Sequence, residues 1–167
     1  DRKIPCLLLC VLIRKEMRVL AVFGNIPDYA YDLLLLHDIN IDELFLLTHA
    51  DMDKEHVFCD TYIGLAADTL FVLSGTETLS SAKKGLNTDF TVKSFEKFNL
   101  SDIEFIKVEE LLSSSRLVAK TVGGEILCLS AMSNFCKNDA GLFAKYFSRI
   151  KRGEITSTDF ELDSEDS

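Results

Sequence analysis

The feature that most constrains the fold is a change of hydrophobic period after Ser130. Between Leu100 and Ser130, apolar residues recur at about every second position, as they do in β-strands. Beyond Ser130 the spacing approaches 3.6, and Ser130 or Ser133 can cap a helix that ends at Gly153. This pattern predicts a sheet closed off by a terminal helix. The buried stripe expected on that helix consists of Phe135, Leu142, Phe143, Tyr146, Phe147 and Ile150.

Further strand-like runs precede this stretch and bring the expected number of strands to about seven. Upstream of residue 100, strands are expected at 44–49, 57–65, 69–73 and from 90 onward, the last with a bulge or bend near Ser94. Both faces of the 57–65 strand carry apolar residues. The sequence also predicts a tight turn at 74–77, a long polar loop at 79–88, and a two-residue hairpin at Gly123-Gly124.

Short connections make the strand order mostly antiparallel. Seven antiparallel strands readily form two roughly orthogonal sheets, and a helix commonly plugs one open corner of such a barrel. We therefore predict an α+β fold, a pleckstrin-homology-like barrel with a C-terminal helix. Its expected bounds are 43–153, preceded by a helical extension at 1–42 and followed by an acidic linker or tail at 154–167.

The N-terminal extension is expected to contain two helices. Apolar spacing predicts the first over 5–22, and Pro27 with Asp28 can open a second one that runs to Leu36. The apolar stripe of the first helix either docks on another chain or covers the open face of the barrel, and the sequence leaves both alternatives open. This candidate interaction stripe consists of Leu8, Leu9, Leu12, Ile13 and Leu20.

Charge and cysteine content limit the classes of function. A formal net charge of −9 disfavours binding to nucleic acid and to anionic lipid head groups. Five cysteines without a CxxC pattern favour a reduced, cytoplasmic protein. The basic and apolar start at 1–13 resembles a short signal peptide, but Arg14-Lys15-Glu16 interrupts it and no small-residue cleavage site follows.

One cluster of residues has the composition of a metal site. Alternating carboxylates with nearby imidazoles can hold a divalent cation, although this spacing does not match a calcium-binding loop. We favour an ordinary solvated turn, because aspartate is a common turn residue. The candidate ligands are His49, Asp51, Asp53 and His56, with Cys59 and Asp60 beside them.

The remaining candidate chemistry is sparser. Cys128 and Cys136 have no histidine close in sequence, so buried structural thiols are favoured over nucleophiles. No catalytic residue, cofactor or metal is therefore expected. A small ligand or lipid head group remains the alternative, because a cationic pocket can be assembled from four lysines. These are Lys83, Lys84, Lys93 and Lys97.

Several short passages resemble the soluble N-terminal domain that precedes the membrane spans of certain Firmicute ABC exporters. That domain contains an acidic turn, a "Leu-x-x-Ile" strand, a "Leu-Leu-x-x-x-x-Leu-Val-Ala" passage, a Gly-rich hairpin and a capping helix. The resemblance covers 44–153. Matching passages here are Ala50-Asp51-Met52-Asp53, 68–73, 100–103, 108–112, 116–119, Gly123-Gly124, Leu129-Ser130 and the helix ending at Gly153.

The resemblance implies a non-enzymatic accessory or regulatory domain. Its expected partner is a protein, either the transporter core or a second copy, contacted through sheet edges or the N-terminal helix. The implied location is the cytoplasm, close to the inner face of the plasma membrane. Neither a Walker A sequence nor a span of about twenty apolar residues occurs in the chain, so any ATPase activity would belong to a region outside it.

Overall fold

The computed structural model describes residues 21–23, 28–82 and 85–154. In chain order the elements are β1 (Ala21–Phe23), α1 (Asp28–Leu36), β2 (Leu44–Met52), β3 (Phe58–Ala66), β4 (Thr69–Ala82), β5 (Gly85–Asn99), β6 (Ile103–Glu110), β7 (Ser115–Thr121), β8 (Ile126–Met132) and α2 (Asn134–Lys151). Short 3₁₀ turns at Ile41–Glu43 and Leu100–Asp102 lead into β2 and β6.

Two sheets and a C-terminal helix form an α+β fold. The first sheet has the order β1-β2-β3-β4-β5, and the second has the order β6-β7-β8. The four strands β2–β5 and the three strands of the second sheet are antiparallel, which matches the expected seven strands. The short β1 is additional and lies parallel to β2.

The predicted barrel is not closed, because no ladder of strand hydrogen bonds joins the two sheets within the described residues. The sheets meet instead at one corner, where β2 ends beside β8. There the Ala131 N–H donates to the Asp53 carbonyl at 3.0 Å, and Ser130 Oγ donates to the Met52 carbonyl at 2.6 Å. The arrangement is therefore two stacked sheets linked by a corner and a helix.

The first core lies between the two sheets and α2. It takes alternate residues from each strand together with one face of the helix, as the change of period predicted. Its central side chains are fully buried: Leu46, Ile63, Leu65, Leu70, Ile103, Leu117, Phe143 and Phe147. Phe135 and Leu142 were wrongly assigned to this buried stripe, since both side chains are exposed.

The second core lies on the other face of the first sheet, under α1. Ala30 and Leu34 of the helix pack there against Tyr62, Phe71 and Leu73. Strand β3 is therefore buried on both faces, as expected from its sequence. The predicted helix from Asp28 to Leu36 is confirmed, and Leu36 at its end is exposed.

Strand β1 occupies a position that the sequence assigned to a helix. The helix expected over 5–22 overlaps Ala21–Phe23, which pairs with Leu46–Thr48 of β2. Alanine favours a helix, whereas valine and phenylalanine favour a strand, so pairing with the edge of β2 decides the conformation. Residues 5–20 of that prediction lie outside the described part of the chain.

Strands β4 and β5 form one long hairpin where a turn and a loop were expected. Ser74 and Gly75 lie inside β4 and pair with Ser94 and Val92 of β5, and the backbone at 79–82 and 85–88 is also paired. The bulge predicted near Ser94 is confirmed, because Lys93 is the extra residue between these two pairs.

The β7–β8 hairpin is confirmed, with a three-residue loop instead of two. The Gly124 N–H donates to the Thr121 carbonyl at 2.9 Å, and the Thr121 N–H donates to the Glu125 carbonyl at 2.8 Å. Gly124 has φ of +88°, a left-handed conformation that glycine adopts without strain. A turn followed by a left-handed glycine is a frequent three-residue hairpin connection.

Candidate interaction site

Asp53, one of the candidate metal ligands, is a structural residue of the turn between β2 and β3. It is only 2% exposed. Its Oδ1 accepts the N–H groups of Glu55 at 2.8 Å and Val57 at 3.1 Å, and its Oδ2 is paired with the ammonium of Lys93. Burial raises the pKa of Asp53, but the hydrogen bonds from Lys93 and the backbone outweigh it and leave the pKa below its ordinary value.

Asp51 lies at the N-terminus of α2. Its Oδ1 accepts the Ser133 N–H at 2.8 Å, and its Oδ2 accepts the Ser133 hydroxyl. Desolvation raises the pKa of Asp51, yet the two Ser133 hydrogen bonds give a net lowering. Ser133 is the N-cap residue as predicted, but its side chain makes no cap hydrogen bond to the helix. The carboxylate of Asp51 complements the positive end of the helix dipole from another strand.

The two candidate histidine ligands lie in other arrangements. His49 Nε2 is 2.9 Å from Oδ1 of Asp60, on the face of the first sheet that carries the second core. His56 is exposed in the turn with φ of +65°. The four candidate ligands thus lie in separate arrangements. No group of three or more histidine, cysteine or acidic side chains suited to a metal ion occurs among the described residues.

The described cysteines are free thiols that are partly buried. Burial raises the pKa of Cys59, Cys128 and Cys136 above the ordinary value, so the thiols stay protonated at neutral pH. Cys59 Sγ lies 3.6 Å from the Thr61 hydroxyl, and Cys128 Sγ lies 3.9 Å from the Lys54 carbonyl. These contacts are typical of packed thiols rather than of an activated nucleophile.

Two of the four lysines expected to form a cationic pocket already have partners. Lys93 is paired with Asp53 and, at 3.5 Å, with Glu55. Lys97 Nζ donates to the His37 carbonyl at 3.2 Å. Lys83 and Lys84 lie outside the described residues, as does the whole N-terminal stripe from Leu8 to Leu20.

A groove between β6 and α2 is the surface that sequence reasoning missed. It is lined by Val108 and Glu110 from the strand and by Lys137, Asn138, Gly141 and Leu142 from the helix. Strand β6 is an edge strand, and no other strand of the described chain pairs with its outer side. An edge strand of this kind presents N–H and C=O groups that can pair with an added strand.

Gly141 gives the groove an open floor. A Cβ atom built at Gly141 meets nothing within 4 Å, and the residue lies in the middle of an 18-residue helix. A glycine at such a position costs a helix about 1 kcal/mol relative to alanine. Packing within the described chain does not require this glycine, whereas close approach of another backbone would.

Apolar side chains are exposed around this end of the molecule. The Phe135 side chain is 95% exposed, and Leu142 is 40% exposed on the groove wall. Lys137 and Glu110 form an ion pair across the groove, which places charge beside the apolar wall. The signal that could have identified this surface is the seven-residue spacing of Phe135 and Leu142, which was instead taken as part of the buried stripe.

Comparison with known proteins gives no relative: no protein-family model, no curated protein and no solved structure matches the chain. The chain can therefore be classified by its fold alone, as a two-sheet α+β fold with a groove beside the edge strand β6. None of the helices in the described part of the chain is both long enough and apolar enough to cross a membrane.

Proposed function

We propose that this chain is a non-enzymatic interaction domain that receives an extended protein segment in the groove between β6 and α2. The observation that carries the proposal is Gly141, an unfilled helix position beside the unpaired edge of β6. The segment adds a strand to β6 through main-chain hydrogen bonds and places an apolar side chain between Val108 and Leu142.

The proposed biological setting is the cytoplasmic side of an ABC exporter, with the domain acting as an accessory or regulatory part. Two antiparallel sheets with a C-terminal helix support a pleckstrin-homology-like fold, and the resemblance over 44–153 supports the exporter assignment. The partner is then a segment of the transporter core. The ion-paired Lys93 and the net charge of −9 favour this partner over a lipid head group.

The groove can be tested by expressing the domain and the transporter core as separate chains and measuring their affinity. Gly141→Leu places a side chain where the backbone of the bound segment must approach, and we expect it to weaken binding about tenfold or more, which corresponds to about 1.4 kcal/mol or more. Val122→Glu is the matched control, because Val122 is also an exposed apolar residue but lies in the β7–β8 turn. Equal binding by wild type and Gly141→Leu, with Val122→Glu also unchanged, would reject the groove.

The exporter assignment has its own test in the reading frame of the gene. Continuation past Ser167 into about six apolar spans and a Walker A sequence is the expected result. A stop codon with no exporter gene nearby would contradict the setting, and the groove would then need a different protein partner.

A further inference from the structure

The charged residues of β6 stand in an order that is complementary to itself. Ile106 and Val108 pack with the first core, on the side of the sheet that α2 covers. Because side chains alternate along a strand, Lys107 and Glu109 share the opposite face. Lys107 is 52% exposed, and its Nζ lies 3.5 Å from the Glu109 carboxylate. One positive and one negative charge therefore flank Val108 on the same face, and an antiparallel copy of the strand meets each charge with its opposite.

The outer edge of β6 presents main-chain groups at every second residue. The Leu111 N–H donates to the Ser114 carbonyl at 2.8 Å where β6 leads into β7. In an antiparallel pair, residues that bond to the neighbouring strand alternate with residues that point away from it. Counted back from Leu111 along the regular register with β7, the outward-pointing residues are Ile106, Val108 and Glu110. No strand of the described chain pairs with their N–H and C=O groups.

The positions of the charges select one register for two β6 strands. In an antiparallel pair with a two-fold axis, the residue at the axis faces its own copy, and residues equally distant from it face each other. An axis at Val108 places Lys107 opposite Glu109 of the second copy, and the symmetric pair forms on the other side. An axis at Lys107 places two lysines opposite each other, which is unfavourable. An axis at Ile106 places Glu109 opposite Ile103 and leaves it without an opposite charge.

The helix beside β6 also suits a second copy. Gly141 and Leu142 of α2 line the groove together with Val108, so an axis at Val108 brings these parts of two α2 helices toward each other. A Cβ atom at Gly141 would meet open space, and Leu142 is 40% exposed. The two helices can therefore approach across the axis with their leucines in contact.

We propose that β6 pairs with β6 of a second copy about Val108, which joins two three-stranded sheets into one continuous sheet. The outward-pointing residues exchange main-chain hydrogen bonds, and Lys107 and Glu109 form ion pairs between the copies. This dimer occupies the same edge as the partner segment, so a second copy fills the groove when the partner is absent. Competition between dimer and partner rests on the proposed function, whereas the pairing itself rests on the order of side chains in β6.

Sedimentation equilibrium of the whole chain tests the register through charge reversal. Lys107→Glu and Glu109→Lys each place like charges opposite each other at two symmetric positions, so each variant alone should self-associate about tenfold or more weakly. An equal mixture of the two variants restores opposite charges at both positions and should form a mixed dimer. The double variant Lys107→Glu/Glu109→Lys should dimerise like wild type. Glu125→Lys is the control, because it changes the net charge equally but lies in the β7–β8 turn.

Hydrogen exchange identifies the interface. In the wild type, the amides of Ile106, Val108 and Glu110 should exchange more slowly as the protein concentration rises. A chain that stays monomeric up to about 1 mM would overturn the inference. A dimer in which these amides stay unprotected, or single variants that associate as strongly as wild type, would also overturn it, as would a mixture and a double variant that both fail to dimerise.

Affinity for the transporter core separates this inference from the proposed function. A dimer with protected β6 amides, in a chain that binds no transporter core, supports the inference and rejects the proposed function. A monomer that binds the core does the reverse. Where both hold, raising the protein concentration should weaken apparent core binding by the wild type but not by Lys107→Glu, because only the wild type must first dissociate.

Discussion

Asp53 is a single buried carboxylate that holds three chain segments together. It accepts two N–H groups of its own turn, pairs with the bulged Lys93 of β5, and its carbonyl accepts the Ala131 N–H of β8. Asp53→Ala leaves two N–H groups without their acceptor, so we expect a loss of about 2–4 kcal/mol in the free energy of unfolding. Urea unfolding measures this loss.

Two variants sharpen that measurement. Asp53→Asn keeps an oxygen acceptor for the two N–H groups but removes the charge, so its loss should be smaller than that of Asp53→Ala. Glu55→Ala is the control, because Glu55 is an exposed neighbour, and it should change stability by less than about 0.5 kcal/mol. Equal losses for Asp53→Ala and Glu55→Ala would show that the turn does not depend on the buried carboxylate.

Stability should also depend on pH through the two turn carboxylates. The pKa values of Asp51 and Asp53 are lowered in the folded protein from the ordinary value of 3.8. A lowered folded-state pKa contributes stability that is present above the unfolded-state pKa and is lost as pH falls through the folded-state pKa. The urea concentration at the unfolding midpoint should therefore decrease as the pH is lowered below about 4. Asp53→Asn should make this decrease smaller. An identical acid profile in wild type and variant would contradict the prediction.

Much of the role of Asp53 lies beyond what sequence alone predicts. Asp51 and Asp53 sit two positions apart in the same acidic passage, and both fit a solvated turn. Only the fold shows that one side chain is buried against β5 and the other caps α2. Their partners, Lys93 and Ser133, are distant in sequence, so no local pattern connects them.

At the scale of the elements, two glycines differ in whether the fold leaves room for a side chain. They are Gly75 in β4 and Gly141 in α2. A Cβ atom at Gly75 would come 2.4 Å from the Thr91 carbonyl oxygen and 2.5 Å from the Phe90 ring, whereas one at Gly141 meets open space. We expect Gly75→Ala to cost about 2 kcal/mol through overpacking and Gly141→Ala to add about 0.5–1 kcal/mol through helix propensity. Urea titrations of the two variants, run in parallel, measure both changes in the free energy of unfolding. A neutral Gly75→Ala would contradict the close pairing of β4 and β5.

The same hairpin shows where strand prediction fails. The passage Ser74-Gly75-Thr76-Glu77 has the composition of a turn, yet Gly75 is needed for close packing under Phe90. Beyond Gly75, β4 and β5 pair only with each other, so neither face has to be apolar and no period of two develops. The bulge at Lys93 was predictable, because the flanking phenylalanines change parity there. The Gly123-Gly124 hairpin was predictable because the glycines themselves determine it.

For the whole molecule, the first sheet separates two cores and therefore couples them. Consecutive residues of β4 point alternately into the first and the second core, with Leu70 and Val72 on one side and Phe71 and Leu73 on the other. Unfolding one core removes the support of this strand from the other. The domain should consequently unfold in one cooperative transition although α1 and α2 lie on opposite faces.

Truncation of one phenylalanine in each core tests this coupling. Phe71→Ala and Phe147→Ala each empty a fully buried position, so each should lower stability by about 3–5 kcal/mol and the same melting transition by about 10 °C. Phe58→Ala, at an exposed position, is the control and should leave the transition within about 2 °C. Because the chain has no tryptophan, far-UV circular dichroism and near-UV tyrosine signals report the transition. If Phe71→Ala splits the melt into two steps while Phe147→Ala does not, α1 and its core form a separate cooperative unit.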